Sequence, residues 1–152
     1  MIDLTFNLNG QPVQLRCAPD RRLLAILRED FGLTGAKPGC EIGRCGACMV
    51  GLDGQPVNAC LVLAWQLQGR QVVSIEHLAS LPASQPVQAA MACSGAVQCG
   101  YCSAGTVVSL THLHARQPRP GLAEAQALMA GNLCRCTGYG GLQRTLQALF
   151  GD

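Results

Sequence analysis

The chain has 152 residues, 49% of them hydrophobic and only 13% charged, with a formal net charge of +2. That supplies one or two small apolar cores and, with no basic cluster, excludes a nucleic-acid or anionic-membrane binder. No uncharged apolar run approaches bilayer-spanning length, so no direct membrane insertion is expected.

Ten cysteines behind an N-terminus, Met1-Ile2-Asp3-Leu4-Thr5, that has no signal-peptide pattern point to bound metal rather than a disulfide framework. The expected location is cytoplasmic, with export alongside a partner left open. The low charge and a mean hydropathy of +0.22 point to surface covered by partners.

Leu4, Phe6 and Leu8 alternate with polar residues, Asn9-Gly10 is a two-residue hairpin signal, and Val13, Leu15 and Cys17 alternate again. This predicts an N-terminal β-hairpin. Asp20 is the N-cap candidate for a short helix over Leu23 to Arg28. A loop from Gly32 to Gly39 leads to the first cysteines. Ala47 to Leu52, Asp53-Gly54 and Gln55 to Asn58 read as a second hairpin, and Val72 to Ile75 as a closing strand. Together these make a small α+β unit with the cysteine loop outside its sheet.

Beyond Leu81-Pro82 helix signals take over. Four helices are expected: Val87 to Cys93 with Pro86 in its first turn, Gly105 to Arg116 ended by Pro118 and Pro120, Leu122 to Met129, and Gly141 to Phe150. The expected division is a domain over 1–76, a linker over 77–83 and a helical domain over 84–152.

Cys40, Cys45, Cys48 and Cys60 have the spacing Cys-x4-Cys-x2-Cys…Cys, the plant-type ferredoxin pattern for a [2Fe–2S] cluster. Soft thiolate sulfur is what holds iron and bridging sulfide. Gly39, Gly43 and Gly46 suit a loop whose backbone must approach the sulfurs closely. A zinc knuckle uses two short, widely separated cysteine pairs, which this triplet fits poorly.

Cys99, Cys102, Cys134 and Cys136 form a second set, Cys-x2-Cys…Cys-x-Cys. Each pair falls near a helix start, where free N–H groups favour anionic thiolates. On spacing alone this set suits zinc and iron–sulfur alike, the Cys-Arg-Cys step favouring iron. Cys17 and Cys93 lie outside both sets and read as small buried hydrophobes. Trp65 reads as an interface anchor or as core. Tyr101 and Tyr139 read as shields of sulfur or as ordinary packing, Arg44 and Arg135 as screens of cluster charge or solvated surface, and His77, His112 and His114 as surface or helix-packed.

Three motifs stand in one order: Cys45-Gly46-Ala47-Cys48, Gln98-Cys99-Gly100-Tyr101-Cys102, and Gly131-Asn132-Leu133-Cys134-Arg135-Cys136-Thr137-Gly138-Tyr139. Through them the chain, from Leu4 to Leu149, resembles the small [2Fe–2S] subunit of the xanthine oxidase family of molybdenum hydroxylases. It looks most like the small chains of isoquinoline-, nicotinate-, aldehyde- and carbon monoxide-oxidising enzymes.

The resemblance implies a β-grasp, plant-ferredoxin-like domain with one cluster on Cys40, Cys45, Cys48 and Cys60. It implies a four-helix domain with a second cluster on Cys99, Cys102, Cys134 and Cys136. It further implies a large subunit holding a molybdenum–pterin cofactor, molybdopterin cytosine dinucleotide, touched by Gln98 through an amide hydrogen bond and by Cys136. The implied role is electron transfer with no catalytic acid, base or nucleophile in this chain, and the implied acceptor is a flavin or haem protein or another carrier. A free-standing two-cluster ferredoxin or redox sensor, and a zinc-binding interaction module, are the competing classes. Two departures stand out. Ser103-Ala104-Gly105 replaces the usual Thr-Pro-Gly, with Ser103 expected to cap the helix instead, and Leu142 stands where Ile is usual.

Overall fold

The computed structural model describes residues 1–151. Asp152, the last residue of the expected helical domain, lies outside the described residues. Strands β1 (Ile2–Leu8) and β2 (Gln11–Cys17) pair antiparallel, as do β3 (Met49–Leu52) and β4 (Gln55–Asn58). β5 (Gln71–Val73) lies between the hairpins, parallel to β1 and antiparallel to β3, giving the order β2-β1-β5-β3-β4. Asn9 and Asp53 have φ of 54° and 47°, and the glycines after them 83° and 76°. Two successive left-handed residues are the turn that matches strand twist in a two-residue hairpin.

One face of this mixed sheet buries Leu4, Phe6, Val50 and Val72 against Leu23, Ile26 and Leu27. Those three lie on α1 (Leu23–Ala25), which widens into a π-helical turn over Ile26–Asp30. A mixed sheet wrapped on one short helix is the β-grasp arrangement.

Three local expectations are corrected. Asp20 does not cap α1: the N-cap is Arg22, and no side chain caps the helix. The first two amides are already spent, since Leu23 N–H donates to Val62 O at 2.8 Å and Leu24 N–H to Ala59 O at 3.0 Å, so neither is left for Asp20 to cap. Ile75 is not in a strand. The Asn9 side chain takes Ser74 N–H at 2.9 Å and donates to Ser74 Oγ at 3.0 Å, ending the ladder, and Ile75 opens α2 (Ile75–Leu78). Cys93 is exposed, at the end of a helix whose core positions are Val87 and Met91, whereas Cys17 is buried.

A 3-10 turn over Pro82–Ser84 leads into α3 (Gln85–Cys93), with Pro86 in its first turn. Then come α4 (Ser103–Ala115), α5 (Leu122–Leu128) and α6 (Gly140–Phe150). Their common core holds Val87, Met91, Leu110, Ala125, Leu146 and Phe150. Helix α4 is buried without a break from Gly105 to Thr111, because it packs on β3 and β4 as well as on α2 and α3. A helix covered all round needs no polar stripe. No helix among the described residues is long and apolar enough to cross a membrane.

Leu27 and Leu110 have no exposed surface. Leu27→Ala and Leu110→Ala should each cost about 2–5 kcal/mol, read from urea midpoints. Arg16→Ala breaks an exposed 3.9 Å ion pair with Asp3 and should move the midpoint by less than about 0.5 kcal/mol equivalent.

Candidate metal centre

The first cysteines sit on a loop with no regular structure between the π turn and β3. The loop is fixed from its base: Arg28 Nη1 donates to Thr34 O and Ala36 O at 2.8 and 3.0 Å, and Lys37 N–H to Ala47 O at 3.0 Å. Its amides turn inward. Arg44 N–H and Cys45 N–H point at Cys40 Sγ from 3.1 and 3.3 Å, and Cys40 N–H at Cys45 Sγ from 3.5 Å. Gly39 makes this possible, since a Cβ there would lie 2.8 Å from Cys45 Sγ. Cys48 and Cys60 reach the same place from the start of β3 and just beyond β4, and both are buried.

The second set lies between helices. Cys99 and Cys102 precede α4, and Cys134 and Cys136 precede α6. Thr137 Oγ1 and N–H donate to Cys134 Sγ at 3.1 and 3.4 Å. Tyr139, held at φ 65°, accepts Cys134 N–H on its hydroxyl at 3.0 Å. Tyr101 donates its hydroxyl to Pro38 O at 2.6 Å, crossing to the first loop. Each tyrosine therefore makes a specific loop contact.

Ser103 does not cap α4. Cys102 occupies the N-cap with helical φ and ψ, and no side chain caps the turn. Ser103 is already inside the first turn, where its hydroxyl cannot reach back, and among the described residues its buried Oγ has no partner.

The sulfurs meet in twos. Cys40 adjoins Cys45, Cys48 adjoins Cys60, and Cys102 adjoins Cys134, while Cys99 and Cys136 stand 3.4 Å apart. A binuclear centre asks for two thiolates at each metal. The donor set is all sulfur, and inward N–H groups are ready to stabilise its negative charge.

The thiols differ widely. Backbone N–H groups of Ile42 and Arg44 bring Cys40 down to about 6. Burial pushes Cys48 up to about 12 and Cys102 to about 11, each helped by its neighbouring cysteine. Burial also raises Cys134, but the Thr137 donors outweigh it and hold the thiol at about 7. The close Cys99 sulfur raises Cys136.

A cavity of about 240 Å³ lies between the two loops, lined in part by Cys40, Cys45, Cys99, Cys102, Cys134 and Cys136. Of its lining, Cys99 and Cys136 are exposed and Tyr101 and Leu133 half-exposed; Val97 and Gln98, next to Cys99 in the chain, are exposed as well. Arg44 and Arg135 are exposed at their loops. Trp65 is 60% exposed and is not core. His114 packs edge-on to Phe150.

Sequence reasoning passed over Thr137 and Asn58. Asn58 Nδ2 donates to Gly43 O at 3.2 Å and so ties β4 to the loop. A hydroxyl residue directly after Cys-x-Cys was a readable signal for Thr137, whereas nothing in its surroundings marked Asn58.

Residues 6–79 match the family model of the 2Fe-2S iron-sulfur cluster binding domain, and residues 74–147 that of the [2Fe-2S] binding domain. The nicotinate dehydrogenase small FeS subunit of Eubacterium barkeri is 43% identical over 138 residues, covering 91% of this chain and 88% of that one. The chain belongs to the small iron–sulfur subunits of the xanthine oxidase family. The aldehyde oxidoreductase iron-sulfur-binding subunit of Escherichia coli K12 is 34% identical, over 100% of this chain and 73% of its own length.

Among solved structures, quinoline 2-oxidoreductase from Pseudomonas putida 86 superposes with a TM-score of 0.86 at 36% identity, covering 95% of this chain and 90% of the matched one. Aldehyde oxidoreductase from Desulfovibrio gigas gives 0.87 at 35%, covering 98% of this chain but 17% of a much longer one. This chain is thus similar to one segment of that longer chain. The chain carries two [2Fe–2S]-binding domains and serves as an electron-transfer subunit of a molybdenum-dependent oxidoreductase.

In cluster-free protein near neutral pH, iodoacetamide should modify Cys40 and then Cys134 faster than Cys48 and Cys102, because only thiolates react. Mass spectrometry of timed digests gives the order. Comparable rates at Cys40 and Cys48 would contradict it.

Proposed function

We propose that Cys40, Cys45, Cys48 and Cys60 hold one [2Fe–2S] cluster, and Cys99, Cys102, Cys134 and Cys136 the other. The observation that carries this is the pairwise approach of eight sulfurs with backbone and hydroxyl donors aimed at them. Bound there, the clusters supply one-electron oxidation and reduction at potentials set by charge, hydrogen bonds to sulfur and exposure.

The chain's residues provide the rest. The Arg28 and Lys37 contacts fix the first loop, Tyr139 and Thr137 fix Cys134, and the two apolar cores keep both loops in place. We further propose that the exposed rim around Gln98 and Cys136 seats a large molybdenum-cofactor subunit. There Gln98 donates an amide hydrogen bond to the pterin, in its cytosine dinucleotide form, and Cys136 brings the second centre up to it. The order of transfer is pterin, second set, first set, then a flavin or haem acceptor or another carrier. A cytoplasmic complex is the expected setting. The exposed apolar rim supports the seating, since such a patch beside an anionic centre is poorly left in water.

Purified complex should contain about four irons per chain and show two spin-resonance signals after dithionite; a colourless, zinc-loaded chain would refute the ligation. Cys136→Ser should slow steady-state turnover far more than single-turnover reduction of molybdenum, and equal losses in both would refute the division of labour. Thr137→Val removes a donor to Cys134 Sγ and should lower the second centre's potential. A loss of about 1 kcal/mol of preference for the reduced state corresponds to about 40 mV for one electron, read by redox titration.

A further inference from the structure

Glycines let backbone approach backbone around the second set. A Cβ on Gly46 would lie 2.7 Å from Gly131 O, and one on Gly105 would run into Gly46 O. Those contacts join the first loop to the second and to α4. A further contact lies within the helical domain, at Gly141. A Cβ there would lie 2.5 Å from Gly95 O, 2.6 Å from Ala96 Cα and 2.7 Å from Ala96 N. All three neighbours are backbone, so no side-chain rotation relieves them. Gly141 is buried on α6, and glycine inside a helix costs up to roughly 1 kcal/mol against alanine. The helix does not call for it; the approach of Gly95 and Ala96 does.

Those two residues belong to the turn that leads from α3 to Cys99. Ser94 N–H donates to Ala90 O and Ala96 N–H to Met91 O, both at 3.0 Å, and Gly95 between them is left-handed at φ +62°. A left-handed glycine is a common helix stop. Arg144 of α6 holds the same turn, its Nη2 donating to Ser94 O at 2.8 Å. Ala96 is buried in the helical core, and residues 96–100 form neither helix nor strand. The hold on α6 thus lies two residues before Gln98 and three before Cys99.

The other side of this contact is fixed to the second cysteine pair. Helix α6 starts four residues after Cys136. Tyr139, just before it, takes Cys134 N–H on its hydroxyl at 3.0 Å and accepts Gln143 N–H on its carbonyl at 2.9 Å. One short path of packed backbone therefore runs from Cys134 and Cys136 through the start of α6 to Ala96, Gln98 and Cys99. At its end the Cys99 and Cys136 sulfurs meet at 3.4 Å.

The geometry points to Gly141 and Arg144 as positioning residues: they hold the turn from Ser94 to Gln98 against α6, and so set Gln98 and Cys99 relative to Cys136. This rests on the ligation and the pterin contact proposed above. Gly141 acts by giving room and Arg144 by one hydrogen bond, so Gly141 carries more of the effect. Cβ atoms essentially never sit within 3.0 Å of such neighbours, so an alanine at 141 pushes the turn and the helix apart.

The test uses the assembled complex. Iron content and the two reduced spin-resonance signals of the unaltered complex are read first, and their absence is a failure of the ligation, not of the positioning. Gly141→Ala should shift the second centre's g values and potential and leave the first centre's as they were, an asymmetry that general loosening of the fold does not give. It should also slow single-turnover reduction of molybdenum by roughly ten- to a hundredfold. Combined with Gln98→Ala it should be no slower than the slower single variant, and additive losses overturn the part that runs through Gln98. If Gln98→Ala alone leaves that rate unaltered, the pterin contact fails and the second centre's signal decides the positioning. Arg144→Met should shift that signal by less, and Arg144→Lys, which keeps a donor, should restore it. A fully loaded Gly141→Ala complex with an unaltered second signal overturns the proposal. If Gly141→Ala does not load, the Arg144 pair decides, since an unaltered signal in Arg144→Met, or the same shift in both, overturns it.

Discussion

The close backbone contact around Gly46 is the constraint on which the remaining architecture depends. Eight cysteines sit on loops with little regular structure, and such loops keep their shape only if something else fixes them. The β-grasp core fixes one loop at its base and the helical core fixes the other at its ends. What fixes the loops to each other is a place where three backbone segments meet with no room for a side chain. Helix α4 is the shared wall. It is buried all round because it must serve both cores at once.

Much of this was legible in the sequence. Both hairpins follow from Asn9-Gly10 and Asp53-Gly54, whose left-handed pairs the twist of the strands requires. The four helices were visible from apolar spacing and from Pro86 and Pro118; the first cysteine spacing pointed to iron–sulfur chemistry, while the second did so only through the three motifs taken together. Most of the misses share one cause, a tertiary partner that local pattern cannot show. Asp20 looked like a cap, but Val62 and Ala59 had already taken the helix amides. Val72 to Ile75 looked like one strand, but the Asn9 side chain cut it short. Ser103 looked able to replace a helix-starting residue, but the chain enters the helical conformation one residue earlier. Gly105 read only as the first residue of a helix, and its reason lies in another domain's loop.

The two sulfur sets are built on different principles. In the first, two cysteines are buried and the charge is met by backbone amides of the loop itself. Rigidity there comes from the fold, and the donors cannot be exchanged without changing the loop. In the second, a side-chain hydroxyl meets Cys134, and Tyr139 holds that cysteine's amide from the other side. A centre tuned by a threonine hydroxyl is adjustable by single substitutions in a way that one tuned by peptide groups is not.

Exposure separates the sets as well, and in a direction that bears on partnership. Cys99 and Cys136 are exposed, and Gln98, Val97, Tyr101 and Leu133 around them are exposed or half-exposed. A self-sufficient carrier would be expected to bury its thiolates and leave only a small edge for contact, as the first set does with Cys48 and Cys60. The second set is instead open and apolar-rimmed. Water would reach any cluster bound there, and the apolar rim gains from being covered. In the proposed complex, seating a large subunit on that rim would remove both costs at once and would cover Cys99 and Cys136 together. The proposed docking side thus rests on a difference in burial: the fold covers Cys48 and Cys60 in one set and leaves Cys99 and Cys136 open in the other.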